Sequence, residues 1–541
     1  MTPPGSRSRS PIGIAVVAAV LIVIALPVAA VLVRAVRPDG AWGLEAVRTV
    51  LSSPRTWRLI ALTVGQALAS CALTLAVGVP VAWVLTRFRF RGRGALRTLA
   101  TVPFVLPTVV IGAAFASILG PRGLVDARGT WWPILAAHVC FNLAVVIRTV
   151  GAGFAAADTD LEGAARLLGA GPFSAARRVT LPVVAPAIAA AGIVVFLFCL
   201  TSFGVIVLLG GGRVSTVEVE IWTRATRQFD LSGAGVLCAV QLVAVLATLA
   251  VHGRVTRVVR ARGGAHGRAR ARRVRRPAER VVVAATVLVV LVVSLVPLAA
   301  LVDRSFQVGD GRGLANWRHL GSVTEGTALR VDPLEAVLNS LRAAAVAGAF
   351  ALVLGVASAR VAARRPGGLA DRVLLLPLGV SATTIGLGLL LLFGRPPVDL
   401  RRSVWIVPLA QMLVALPLVV RAVLPALRAV PDSLDDAASL LGVGAAARFW
   451  RVELPMIQPA VLAGAGLALV ACLGEFGATV FLARADRPTV PVAIERLMSR
   501  PGGAGFGQAM ALSCVLVVLC AAVLAVVDRR RGRDDGLDLS F

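Results

Sequence analysis

The chain has 541 residues, is 57% hydrophobic and carries a formal charge of +28, and every one of its 56 Lys+Arg positions is arginine. So much apolar sequence, cut into runs near the length that crosses a bilayer, excludes a soluble globular domain and predicts an all-α polytopic membrane protein. The lack of lysine excludes a GxxxxGK[ST] phosphate loop, so ATP serving this protein would be hydrolysed on another chain, and arginines confined to loops and tails argue for membrane topology rather than nucleic acid.

A hydrocarbon core about 30 Å thick needs about 20 helical residues to cross it. The first apolar run, from Ile12, follows Arg7 and Arg9; it is too long for a signal-peptide core and has no clear small-residue cleavage site before Arg34, so it predicts a retained first helix. Spans follow near 59–86, 98–120, 131–152, 184–209 and 232–252. The second half offers 281–302, 335–362, 372–394, 403–424, 458–483 and 507–527, about twelve transmembrane helices in all. Between the halves, residues 253–280 hold eleven arginines against Glu279 alone, a cytoplasmic linker beside anionic lipid. The domain reading is therefore a first half over 1–252, a linker over 253–280 and a second half over 281–541. The arginine-rich segments place both termini and the linker in the cytoplasm of a bacterial cell membrane, although Arg34, Arg37, Arg48, Arg55 and Arg58 in the first outer loop oppose that bias. Six spans per half make the halves parallel repeats. The seven cysteines, all in apolar stretches without CxxC spacing, read as small buried hydrophobes.

The repeat is plainest in a polar passage. "EGAARLLGAG" begins at Glu162 and is followed by Pro182, and "DDAASLLGVG" begins at Asp435 and is followed by Pro455, so that Gly169 and Gly442 each precede their proline by thirteen residues. Both passages fall between the fourth and fifth spans, near 160–186 and 433–459. Leu161, Ala164, Ala165 and Leu168 share one helical face, as do Leu434, Ala437, Ala438 and Leu441. Gly169 and Gly442 permit a left-handed elbow, a second helix restarts at Pro172, and Pro182 is expected to end it. Two copies in register favour a pair of docking knobs for a two-fold partner.

These passages resemble the EAA loops of ABC-importer permeases, and the resemblance runs from Trp57 to Arg530. It implies that Glu162, Gly163, Ala164, Ala165, Gly169 and Pro182, with Asp435, Asp436, Ala437, Ala438, Gly442 and Pro455, couple the chain to a pair of cytoplasmic ATPase subunits, and that an extracytoplasmic binding protein delivers the substrate. Gly163 and Asp436 depart from the family, where a Glu commonly opens the EAA triplet. "ILAAHVCFNL" at Ile134, "FCLTSFGVIVLLGGG" at Phe198 and "STVEVEIW" at Ser215 are similar to fused permeases of bacterial thiamine importers, with iron(III) permeases next. "CLGEFGATVFLA" also resembles molybdate and sulfate permeases. Thiamine or its phosphate esters is the expected cargo, and iron(III) or another inorganic ion the alternative.

Inside the spans, His138, Asn142, Ser202, Phe203, Gln411, Glu475 and Phe476 are candidates for the translocation path. Glu475 is either a counter-charge for a cationic cargo or a hydrogen-bonded structural carboxylate, with Arg342 and Arg421 as its candidate partners, and the neutral residues equally suit helix–helix hydrogen bonds. No metal-ligand cluster and no nucleophile with an adjacent base occurs, so neither catalysis, metal nor cofactor is expected in this chain. A secondary transporter would leave the repeated polar passages unexplained, and a membrane scaffold would need neither twelve spans nor an intramembrane Glu.

Overall fold

A computed structural model describes residues 11–38, 40–121, 123–262, 271–309, 311–323, 328–364, 380–394, 399–499 and 505–531. The first half opens with α1 (Pro11–Val36) and α2 (Pro54–Arg87), the latter started by a proline at its first position, where no N–H is required. A two-residue strand, β1 (Phe88–Arg89), leads to α3 (Arg93–Val105) and α4 (Thr108–Leu119). These two helices meet at 102°, so the span expected as a straight helix over 98–120 is broken. Pro107 causes the break: it lacks an N–H, and it holds Leu106 in extended backbone (φ −71°, ψ 142°).

After α5 (Trp132–Ala156) come α6 (Thr159–Leu167) and a helical run from Phe173 through a π turn, Ala176–Thr180, into α7 (Leu181–Leu200). Pro182 does not end this helix, contrary to expectation. The Leu181 N–H reaches the Ala176 carbonyl five residues back, and that wider turn carries the helix through a residue that cannot donate. The fifth span is also shorter than expected, breaking at Thr201–Phe203 before α8 (Gly204–Leu209). Then come α9 (Val217–Thr223) and α10 (Leu231–Arg262), which extends ten residues into the expected linker. Residues 263–270 lie outside the described part, and β2 (Arg272–Arg273) then pairs in parallel with β1.

The second half holds α11 (Pro277–Ser305), α12 (Pro333–Ala363), α13 (Ala382–Phe393), α14 (Ile406–Ala429), α15 (Asp432–Leu440), α16 (Leu454–Gly474), α17 (Thr479–Leu482), α18 (Val490–Met498) and α19 (Phe506–Arg531). Ten helices among the described residues are long and apolar enough to cross a membrane, and α3–α4 makes an eleventh as a broken span. The expected span over 372–394 lies partly outside the described residues, which hold its last part as α13.

The two halves repeat contacts as well as sequence. A Cβ on Gly78 would lie 2.6 Å from Val146 Cγ1, and one on Gly355 would lie 2.7 Å from Val419 Cγ1, so each half draws its second and fourth helices together at a glycine. Val217 N–H donates to Thr63 Oγ1 at 3.0 Å, and Val490 N–H donates to Ser340 Oγ at 2.7 Å.

The chain forms two compact units that cut across the linear halves. One comprises 43–318 and 501–514, and the other 1–42, 319–500 and 515–541. In the first, Val290 of α11 packs with Val81, Leu85 and Leu143 of the opening half. In the second, Gly388 of α13 presses on the Pro27 carbonyl of α1. The helix that begins each half thus belongs to the compact unit built mainly from the other.

Candidate functional site

Both polar passages fold as the same elbow. Asp158 caps α6 by accepting the Asp160 N–H at 2.8 Å. At the other end Gly169 takes φ +88° and the Ala170 N–H closes on the Ala165 carbonyl at 3.0 Å. In the second half Gly442 takes φ +69° and the Val443 N–H closes on the Ala438 carbonyl at 3.0 Å. A left-handed glycine with a six-to-one bond is a Schellman cap, which satisfies the last carbonyls and turns the chain sharply. Nothing lies within 4 Å of a Cβ built on either glycine, so the conformation rather than space requires the residue type.

The elbows present apolar tips. Leu167 and Leu168 are 91% and 90% exposed, and Leu440 and Leu441 are 89% and 82% exposed. Leu161 and Leu434 lean outward less, Gly163, Ala164 and Ala437 are exposed, Ala165 is half-buried, and Ala438 is buried. Helical periodicity singles out Leu168 and Leu441 but not Leu167 or Leu440. The repeated "LLG" was the available signal, since a helix ending at the first leucine throws both outward. Asp435 and Asp436 belong to α15, but their side chains lie outside the described residues.

Glu162 turns back toward its own unit. Its carboxylate accepts from Arg87 Nη2 and Arg166 Nη2, each at 2.9 Å, and from Thr180 Oγ1 at 3.2 Å. In the second half Glu453, at the position matching Thr180, accepts from Arg360 Nε at 2.6 Å and Nη2 at 2.8 Å, with Arg448 3.6 Å away. Sequence reasoning missed Arg87, Arg360 and Glu453. Pro182 and Pro455 each follow a π turn, and the second, Phe449–Glu453, repeats the first.

Among the path candidates, the structure brings together those of the first half. His138 stands between two hydroxyls, with Nδ1 2.9 Å from Ser70 Oγ and Nε2 2.9 Å from Ser202 Oγ. Asn142 donates to the His138 carbonyl at 3.0 Å. Gln66 donates to the Cys199 carbonyl at 2.8 Å and Gln241 to the Leu200 carbonyl at 3.1 Å. These amides satisfy carbonyls freed where α7 breaks, which inside a membrane only protein groups can do. Phe203 sets its ring edge-on to Trp222 at 6.0 Å.

The second half differs. Glu475 pairs with neither Arg342 nor Arg421: its carboxylate accepts the Ala478 N–H at 2.7 Å and the Thr479 N–H at 2.9 Å, capping α17. Gln411 is 1% exposed and neither amide atom has a hydrogen-bond partner, and Phe476 is buried beside the break. Sequence reasoning also missed an aromatic trio in the first half. Phe104 lies 5.2 Å from Phe141 and 5.9 Å from Phe198 between ring centroids, and the rings are partly exposed.

Residues 75–260 and 351–533 match the family described as binding-protein-dependent transport system inner membrane component. The chain is 26% identical over 516 residues to the Probable ABC transporter permease protein y4fN of Sinorhizobium fredii, covering 89% of this chain and 90% of that one. It is 26% identical over 495 residues to the Thiamine transport system permease protein ThiP of Brucella abortus, covering 87% of each. Over 212 residues it is 30% identical to the Sulfate transport system permease protein CysT of Salmonella typhimurium, covering 37% of this chain and 76% of that protein.

Proposed function

The chain belongs to the binding-protein-dependent transport system inner membrane component family, and from that premise we propose that it is the fused permease of an importer that carries thiamine or a thiamine phosphate ester into the cytoplasm. The two Schellman-capped elbows carry this reading. Each offers a leucine pair more than four-fifths exposed at the same place in its repeat, which suits two grooves on a pair of ATPase subunits. In this reading Glu162 and Glu453 hold the elbows to the helix bundle, so that force on the leucine tips reaches the spans. ATP hydrolysis and any cofactor belong to the partners, a separate binding protein delivers the cargo, and both termini lie in the cytoplasm.

The choice of cargo rests on the thiamine-named relatives, which are similar along most of the chain. Glu475 is a poor counter-charge for a thiazolium because its oxygens already cap a helix. Phe104, Phe141 and Phe198 suit a planar organic cation better, since aromatic faces attract cations and stack on heterocycles.

The deciding experiment is uptake by a deletion strain given labelled thiamine, sulfate or ferric iron at limiting concentration. Thiamine uptake should fall and return with the plasmid-borne gene. Unimpaired thiamine uptake beside a loss of either inorganic ion would overturn the cargo and leave the permease reading standing.

A further inference from the structure

The arginine-rich linker does not simply connect the halves. Arg272 and Arg273 pair in parallel with Phe88 and Arg89, the segment that follows α2. Arg272 is held on both sides: its guanidinium lies 5.1 Å above the Phe88 ring and 2.9 Å from Glu279, the only acid of the segment. Glu279 also accepts the backbone N–H groups of Arg275 and Arg276 at 2.9 and 3.2 Å, so its acceptor capacity is largely used. The register then sets Arg273 beside Arg89. Both are exposed, and among the described residues neither pairs with an acid. Like charges on neighbouring strands repel, and an anion lying against both side chains would relieve that repulsion. Arginine forks match the oxygens of a phosphate monoester or diester.

The height of the cluster indicates which phosphate. Arg93 opens α3 and Pro277 opens α11, and both helices lead into the membrane, so Arg89 and Arg273 stand within a turn or so of two membrane entry points. That is the depth of phospholipid headgroups, where a basic cluster meets anionic lipid. We propose that Arg89 and Arg273 form a binding site for the phosphodiester headgroup of an anionic phospholipid, built when the linker strand docks beside α2. The bound lipid holds the linker in place, and because Arg87 precedes Phe88 and bridges to Glu162, it also steadies the first elbow.

The test uses the purified full-length protein in detergent and follows retained lipid by native mass spectrometry and apparent melting temperature by fluorescence. The probes are mixed micelles of dioleoylphosphatidylglycerol, mixed micelles of dioleoylphosphatidylcholine, and soluble glycerol 3-phosphate. Phosphatidylglycerol should bind and raise the melting temperature, while phosphatidylcholine and glycerol 3-phosphate should not. R89Q/R273Q should weaken phosphatidylglycerol binding by about thirtyfold, as expected from two interfacial arginines. R89K/R273K, which keeps the charge but loses the fork, should recover only part of the affinity, and R529Q/R530Q should match the unmodified protein. Equal binding of both lipids, an unchanged affinity in R89Q/R273Q, or stabilisation by glycerol 3-phosphate as strong as by phosphatidylglycerol would each overturn the proposal, the last in favour of a site for soluble phosphates.

Discussion

Arg360 grips Glu453 through two nitrogens, at 2.6 and 2.8 Å, and this pair does for the second elbow what Arg87 and Glu162 do for the first. In both halves a basic residue near the end of the long second helix holds an acid that flanks the elbow. The acid has changed sides: Glu162 precedes its glycine, whereas Glu453 follows Gly442. Thr180 occupies the Glu453 position in the first half and still donates to Glu162. Both repeats therefore keep an arginine–acid link beside the elbow, with the acid before the glycine in the first half and after it in the second.

Removing one member of the Arg360–Glu453 pair takes the nearest counter-charge from the other, and leaves Glu453 only the longer contact to Arg448. A fully buried pair so broken loses about 3–5 kcal/mol, and because Arg360 retains 23% exposure the cost here should be nearer about 2 kcal/mol. Arg360→Ala and Glu453→Ala should each lower the apparent melting temperature, and the double variant should fall less than the sum of the two. Strictly additive losses would show that the pair is not coupled.

At Gly169 and Gly442 the obstacle to substitution is backbone conformation alone. An ordinary residue in the left-handed region costs about 1–2 kcal/mol, a β-branched one more, while Asn enters it readily. Gly169→Asn and Gly442→Asn should support near-normal uptake, whereas Gly169→Val and Gly442→Val should insert normally yet transport poorly while ATP hydrolysis by the assembled complex continues. Equal uptake by the Asn and Val variants would sever the link between elbow geometry and transport.

The sequence made the duplication, the polar passages and the number and placing of most spans legible, because apolar length and glycine–proline spacing are local properties. It did not reveal that Pro182 is carried through by a π turn, since proline's missing donor permits either a stop or a wider turn and the surrounding packing selects between them. Nor could it show that α1 and α11 join the unit built mainly from the other half. Both are uniformly apolar helices, and nothing in their pattern specifies which neighbour covers them. Glu475 was legible as an anomaly but not as a cap, because its partners are backbone N–H groups, which every sequence contains.

That cap makes a specific prediction for Glu475→Gln. The amide keeps one acceptor oxygen but turns an NH2 toward an N–H group, leaving a buried donor unpaired at about 1–3 kcal/mol. The variant should lose thermal stability in the absence of any cargo. An unchanged melting temperature beside weakened uptake would instead support a counter-charge role in the path.

Gly78 and Gly355 provide the strictest test that the two halves share one packing plan. A methyl group on either would come within 2.8 Å of both Cβ and Cγ1 of the facing valine, Val146 or Val419, too near for a carbon–carbon contact. Overpacking of this kind costs about 1–3 kcal/mol. Gly78→Ala and Gly355→Ala should therefore destabilise the protein by similar amounts. Alanine at the facing position removes Cγ1 but keeps the Cβ at 2.8 Å, so Val146→Ala should rescue the first only in part and Val419→Ala the second only in part, while the crossed combinations should add their losses. A rescue that appears in only one half would mean that the second and fourth helices of the other half have room to separate, and the matched distances would then reflect likeness of sequence without likeness of constraint.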